Sequence, residues 1–337
     1  MLATVKELER LGVKVKSPTR QSLEVGIQFA TPSSIPHWQS TKSQLTHETT
    51  TLSEFTPVLK GTFGSLYIVH RETPEKQEYC FGKLSPGHSM SLYREGLIQA
   101  ASWATLNSYG LVQAIPRVID IFHHPTLGLG LCLERIPGST ILSDFLQSQL
   151  QWKTACVEND LTFLSILSQL SLYLLILQRE LGLQHGDLKS TNILLVRPTD
   201  LFSCTVHVDG RVFTYRASLE AILIDFGFSS VHGAQTQHDM SRDIFFFLSS
   251  LWNIPDFRKS VTPKLATAVV RWLHDGQKSW ARWLEVTTDD NLKGMYLLSA
   301  SEQFRNTRCQ PLAVLKDIQT LYPQLLTIQG ETLVKSP

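Results

Sequence analysis

LQHGDLKSTNILLV, Leu183 to Val196, sets three polar side chains ahead of an unbroken apolar run. Asp187, Lys189 and Asn192 fall within six residues, and Ile193 to Val196 reads as a short buried strand. The strand anchors the turn, so an acid, a cation and an amide are held on a fixed loop. Such a set suits phosphoryl transfer. A carboxylate can orient an attacking hydroxyl and take its proton, an ammonium can offset charge on the moving phosphoryl group, and an amide oxygen can ligate a divalent metal. Mg²⁺ is the metal that prefers such oxygen ligands.

A second apolar strand ends in an acid further on: Ala221-Ile-Leu-Ile-Asp225-Phe226-Gly227. H-x-D-L-K-x-x-N-I-L-L followed by Asp-Phe-Gly resembles the catalytic loop and metal-binding motif of eukaryotic-like protein kinases. Either motif alone arises by chance, as a solvated turn or a strand-ending acid. The two in this order, each beside an apolar strand, are a specific signal. The resemblance covers about residues 55–250. It implies an α+β, two-lobed protein-kinase-like fold, with an antiparallel sheet and one helix in the N-lobe, a mostly helical C-lobe, and ATP-Mg²⁺ between them. By the same resemblance Asp187 is the catalytic acid that positions the acceptor hydroxyl, and Lys189 steadies the γ-phosphoryl group. Asn192 and Asp225 are the implied metal ligands.

Upstream, FTPVLKGTFGSLYIVH (Phe55 to His70) reads as strand, glycine turn, strand. The turn resembles the family's glycine-rich loop, whose backbone amides approach the ATP phosphates. Gly61 and Gly64 match its second and third glycines, with Phe63 at the tip, while Leu59 stands in the place of the first. A G-x-x-G turn alone is more often an ordinary hairpin. Tyr79 to Leu84 reads as a strand carrying Lys83, which the resemblance makes the ligand of the α- and β-phosphates. Phe81 occupies a position where the family places a small residue under the adenine. Lys76 is the alternative cation, in a polar turn poorly suited to a buried ion pair. Ser89 to Leu106 has helical periodicity with Tyr93, Leu97, Ala100 and Ala104 on one face, and its one acid, Glu95, is the implied partner of Lys83. Ile115 to Glu134 reads as a hairpin about His123-His124-Pro125-Thr126 and leads into the linker Leu131 to Gly138. There the resemblance sets Leu133 at the back of the nucleotide pocket and assigns adenine binding to the backbone of Glu134 and Ile136. Ser139 to Leu150 reads as the next helix.

After Asn192 the chain departs from the family. Thirty-three positions separate Asn192 from Asp225, and Asp209-Gly210 between alternating apolar segments signals an inserted β-hairpin. Past Gly227 the family's Ala-Pro-Glu is absent. A short polar stretch leads to Asp243, which opens an apolar helix and resembles the family's buried Asp below the catalytic loop; a plain helix N-terminal acid is the simpler alternative. Gly186 stands before Asp187 where phosphorylation-regulated kinases carry Arg, so control by activation-loop phosphorylation is not expected. Val261 to Leu326 is helical in pattern, including Lys264 to Trp283, with Trp280 and Trp283 as packing residues.

The implied boundaries are an N-terminal extension over 1–50, partly disordered apart from a short helix at Thr4 to Leu11, an N-lobe over 51–134, a C-lobe over 135–328 and a tail over 329–337. The 337-residue length allows two lobes, and 42% hydrophobic residues fit a globular chain. A net charge of +1 gives no global field toward nucleic acid or an anionic membrane. The five scattered cysteines have no C-x-x-C spacing and read as reduced thiols, which with a charged N-terminus places the protein in the cytoplasm or nucleus. Phe163 to Leu181 approaches membrane-spanning length, but Ser165, Ser168, Gln169, Ser171 and Gln178 interrupt it, so it reads as a core helix. The expected partner is a protein substrate. Lys189 favours a Ser/Thr-type kinase. His-Gly-Asp with a short segment after Asp-Phe-Gly also resembles the KEOPS-complex kinase/ATPase and small-molecule phosphotransferases. A non-catalytic, nucleotide-binding pseudokinase scaffold is the reading from another class, suggested by Leu59 and Phe81. The divergent periphery suits a viral or intracellular-bacterial kinase.

Overall fold

The structure is a computed structural model and describes residues 38–41, 44–61, 64–85, 89–148, 154–199, 202–231, 239–252, 254–274 and 308–330. Phe63, the expected helix at Thr4 to Leu11, Trp280, Trp283 and most of the expected tail lie outside them. The chain divides into two compact units. One comprises Met1–Ser108, Ile115–Pro137 and Phe226–Ser229; the other comprises Tyr109–Ala114, Gly138–Asp225 and Ser230–Pro337.

The first unit is built on a seven-stranded sheet: β1 (Gln39–Ser40), β2 (Gln44–His47), β3 (Thr50–Gly61), β4 (Gly64–Glu72), β5 (Gln77–Ser85), β6 (Val118–His124) and β7 (Gly128–Leu133). Its order is β1-β2-β3-β4-β5-β7-β6, with every pairing antiparallel. Helix α1 (Ser89–Ser108) connects β5 to β6. Strand side chains alternate between faces, so each strand feeds two cores. On one face Ile121, Leu129 and Leu131 pack against Leu92, Tyr93, Leu97 and Ala100 of α1. On the other, Phe122 and Cys132 meet Trp38, Leu45, Leu52, Val69 and Cys80. The Trp38 indole N–H donates to the Ile121 carbonyl at 3.0 Å, which satisfies its one polar atom inside that core. The sheet therefore begins upstream of residue 51: residues 39–47 contribute strands to it, where the sequence suggested an extended arm. A buried ion pair, Arg71 Nε to Asp120 Oδ2 at 2.7 Å, ties β4 to β6, and the same guanidinium reaches Glu78 at 3.1 Å.

The second unit contains α2 (Leu142–Ser148), α3 (Val157–Leu181), α4 (Arg242–Trp252), α5 (Pro255–Ser260), α6 (Pro263–His274) and α7 (Pro311–Leu321), with eight short strands among the described residues. Helix α3 is its centre. It is apolar and long enough to cross a bilayer, yet 83% of its most apolar window is buried inside the fold, as expected of a helix hydrophobic nearly all round. Near its N-terminus the buried Asp160 carboxylate accepts from the Thr262 amide (2.9 Å), the Thr262 hydroxyl (2.5 Å) and the Tyr322 hydroxyl (2.7 Å), joining α3 to the start of α6 and the end of α7. At its C-terminus Gly182 takes a left-handed conformation, φ 64°, and its N–H donates to the Gln178 carbonyl at 3.0 Å. That cap ends the helix and turns the chain into the loop that carries Asp187.

The expected hairpin forms. Strands β11 (Phe202–Val208) and β12 (Arg211–Ala217) pair in register about Asp209 and Gly210, both at positive φ (56° and 72°), as a tight two-residue turn requires. Its third strand was not expected. β15 (Leu326–Gln329) pairs with β12 from Val212 to Tyr215, so the chain that read as the end of a helical region enters a sheet. Helix α2 starts at Leu142, later than the sequence suggested, because Thr140–Ile141 form strand β8 and pair with Leu195 and Leu194.

Candidate active site

Three pairings shape the loop around Asp187. Strand β9 (Leu183–Gln184) pairs with β14 (Ser230–Val231), and β10 (Ile193–Val196) pairs with β13 (Glu220–Leu223) and β8. The β10–β13 register sets Ile193 opposite Leu223, and the Ile224 N–H donates to the Asn192 carbonyl at 3.1 Å. Asn192 and Asp225 therefore leave the same end of one two-stranded pair. The loop is braced from within its unit: the N–H groups of His185 and Gly186 each donate to the Asp243 carboxylate at 2.9 Å. Asp243 is 2% exposed, so it is a buried acceptor and not an ordinary helix N-terminal acid. The buried His185 bonds through Nε2 to the Ile224 carbonyl at 3.1 Å, a tie that the sequence hinted at only through its place two residues before Asp187.

The Asp187 carboxylate is held by its neighbours. Oδ2 accepts from Lys189 Nζ at 2.7 Å and from Asn192 Nδ2 at 2.9 Å, while Asn192 Nδ2 also reaches the Asp187 carbonyl at 2.8 Å. Because Nδ2 is spent on Asp187, the amide oxygen Oδ1 is the Asn192 atom suited to a cation. Asp225 is half-buried and sits at φ 65°, a left-handed conformation that costs a non-glycine residue about 1–2 kcal/mol. No tight turn of the Asp-Gly kind demands it, and strain of that sort gathers at functional sites. One carboxylate and one amide oxygen are hard donors. They fit Mg²⁺, which takes one or two protein oxygens and fills its shell with water and phosphate. Among the described residues no cluster of three or more His, Cys, Asp or Glu forms a metal cage.

The other residues singled out in the sequence belong to the first unit. Lys83 Nζ bonds Glu95 Oε1 at 2.6 Å, and the Glu95 side chain is only 6% exposed, so it is no surface acid. Lys76, 61% exposed, pairs with Glu78 in the β4–β5 turn. Gly61 and Gly64 pair at the mouth of the β3–β4 hairpin. A Cβ on Gly64 would lie 2.5 Å from the Leu84 carbonyl oxygen, so only glycine fits that approach. Leu59 points outward at 65% exposure, away from any packing role. Phe81 lies directly opposite both Ile68 and Leu133, on the face that carries Lys83. Phe81 is thus a bulky side chain two residues from Lys83 on the same strand face. Glu134 uses its N–H on the Arg117 carbonyl (2.9 Å) and its carboxylate on the Arg117 N–H (3.2 Å), so its backbone carbonyl is what remains for a ligand. Ile136 follows in the linker, half-buried.

No protein-family profile matches the chain. A curated protein of Invertebrate iridescent virus 3, named probable kinase 098L, is 36% identical over 117 residues, which is 34% of this chain and 20% of that protein. The chain's match thus spans a fifth of that relative's length. An antiparallel seven-stranded sheet with one helix in the first unit, and helices about α3 in the second, agree with the architecture that the sequence resemblance implied. The solved structure of vaccinia related kinase 3 aligns with 84% of this chain and 92% of its own, at 14% identity and a TM-score of 0.44. Measured against the family pattern, Phe81, Leu59 and Gly186 are departures at single positions and the hairpin over 202–217 and the missing Ala-Pro-Glu are longer ones, while Asp187, Lys189, Asn192 and Asp225 keep the pattern's residue types.

Proposed function

We propose that the chain transfers the γ-phosphoryl group of ATP, with Mg²⁺, to Ser or Thr hydroxyls of protein substrates. The observation that carries this reading is the Asp187 carboxylate, fixed by Lys189 and Asn192 on a loop whose amides are bound by Asp243. A fixed carboxylate can align an acceptor hydroxyl and take its proton as the oxygen bonds to the γ-phosphorus and the bond to the bridging oxygen of ADP breaks. Lys189, hydrogen-bonded to that carboxylate, brings positive charge to the moving group. Lys83, fixed by Glu95, holds the α- and β-phosphates. Asn192 Oδ1 and Asp225 are the groups that would hold Mg²⁺, which supplies charge neutralisation at the phosphates. The name of the curated viral relative supports a kinase.

A second reading, an ATPase or small-molecule phosphotransferase of the same fold, is favoured by Gly186 and by the short polar stretch between Gly227 and Asp243, which lacks Ala-Pro-Glu. One experiment separates the two. Purified protein is incubated with Mg²⁺, γ-labelled ATP and a protein extract, and both labelled protein and released phosphate are followed. Label on Ser or Thr is the expected result. Released phosphate without labelled protein selects the second reading. The absence of both products returns the chain to a nucleotide-binding pseudokinase scaffold, with Leu59 and Phe81 the first residues to examine.

A further inference from the structure

We propose that Cys80 and Cys132 form a disulfide that joins strand β5 to strand β7. The two residues are free thiols whose Sγ atoms lie 2.6 Å apart, closer than unbonded sulfurs pack but longer than the roughly 2.05 Å of a covalent bond, so a small approach closes the bond on oxidation. Both residues are 0% exposed and share the core around Trp38 and Phe122. The register explains how they meet. Cys132 lies directly opposite Gly82, and Cys80 is two residues along β5 from Gly82, so both cysteines point to the same face. Gly82 has no side chain to stand between them. A Cβ there would lie 2.6 Å from Val69 Cγ2, so the position is closed to any larger residue and the diagonal approach stays open.

The chemistry is thiol–disulfide exchange with a small-molecule disulfide such as oxidised glutathione. One cysteine thiolate attacks a glutathione sulfur and expels a glutathione thiolate. The second cysteine thiolate attacks the protein sulfur of that mixed disulfide and expels the other glutathione thiolate. The two thiol protons pass to the two glutathione thiolates; the protein loses two electrons and the reagent gains them. In the finished fold both sulfurs are closed to solvent, and burial pushes the Cys132 thiol well above its ordinary range, so little thiolate forms there. The exchange therefore runs while the sheet is forming, and the completed bond is shielded from reductants. This departs from the expectation that all five cysteines are reduced. Its consequence is local: the strand that carries Lys83 becomes covalently tied to the strand that leads into Glu134.

The test is a thiol count on the full chain. The protein is denatured and refolded once with a mixture of oxidised and reduced glutathione and once with excess dithiothreitol. Each sample is then alkylated under denaturing, non-reducing conditions and its mass is measured. The sequence holds five cysteines. The expected result is three labelled thiols after oxidative refolding and five after reductive refolding, with one linked peptide pair containing Cys80 and Cys132. Cys132→Ala should give no linked pair under either condition. Because the count is made on the wild-type chain, a variant that folds poorly leaves the test intact. Five labelled thiols in the oxidatively refolded protein, a link through another cysteine, or glutathione retained on Cys80 or Cys132 overturns the proposal.

Discussion

Two backbone N–H groups converge on one buried carboxylate, and that contact fixes the orientation of Asp187 immediately downstream. The Asp243 side chain is buried, so removing it would leave the His185 and Gly186 amides without an acceptor in a place water does not reach easily. Asp243→Ala should lower stability by about 2–4 kcal/mol, read as a reduced denaturation midpoint. Asp243→Asn keeps one acceptor oxygen and should cost less. An unchanged midpoint in the alanine variant would contradict the bracing role. At the same scale, the sequence motif displayed Asp187, Lys189, Asn192 and Asp225, because their spacing next to apolar strands is local. It could not display the hydrogen bonds between them, nor the strained φ of Asp225, since these arise only when β10 and β13 pair.

Elements with strong periodicity or strong turn chemistry were legible. The burial of α3 follows from its leucines, α1 from its spaced apolar residues, and the β11–β12 hairpin from Asp209-Gly210. The elements that escaped are short, polar in part, and stabilised by distant partners. β1 has two residues and β2 is Gln-Leu-Thr-His; what holds them is the β3 pairing and the core around Trp38. β15 has four residues and takes its backbone pairing from β12, more than a hundred positions earlier, with Gln319 of α7 donating to the Ile328 carbonyl at 3.4 Å. That strand is predicted to matter. It pairs along Val212 to Tyr215, and Leu326, its first residue, is buried. Ending the chain before Leu326 removes the strand's hydrogen bonds and uncovers apolar surface, for an expected loss of about 2–4 kcal/mol. Hydrogen exchange should show the largest loss of protection in β12. If the truncated chain keeps both its midpoint and the β12 protection, β15 is ornament.

Across the whole molecule the net charge of +1 leaves no large self-repulsion near neutrality, and a specific pH response is expected at the alkaline end. Burial, then the hydrogen bond to Asp160, pushes the Tyr322 phenol up from 10.0 to about 12. A raised pKa means that the folded state keeps the proton more tightly than the unfolded chain. The resulting stabilisation is complete below pH 10 and is lost as pH rises toward about 12. Thermal midpoints measured across that window should fall, and Tyr322→Phe should flatten the fall at that site. An identical alkaline decline in the phenylalanine variant would contradict the assignment. The central claim is the proposal that this chain carries out phosphoryl transfer with Asp187 as the group that aligns and deprotonates the acceptor. It is tested most directly by one paired measurement on Asp187→Asn: the single-turnover rate of phosphoryl transfer from ATP-Mg²⁺ and the ATP dissociation constant. The account predicts a rate lower by about a hundredfold or more with ATP affinity changed by less than about threefold. An unchanged rate, or equal losses of rate and affinity, would contradict it.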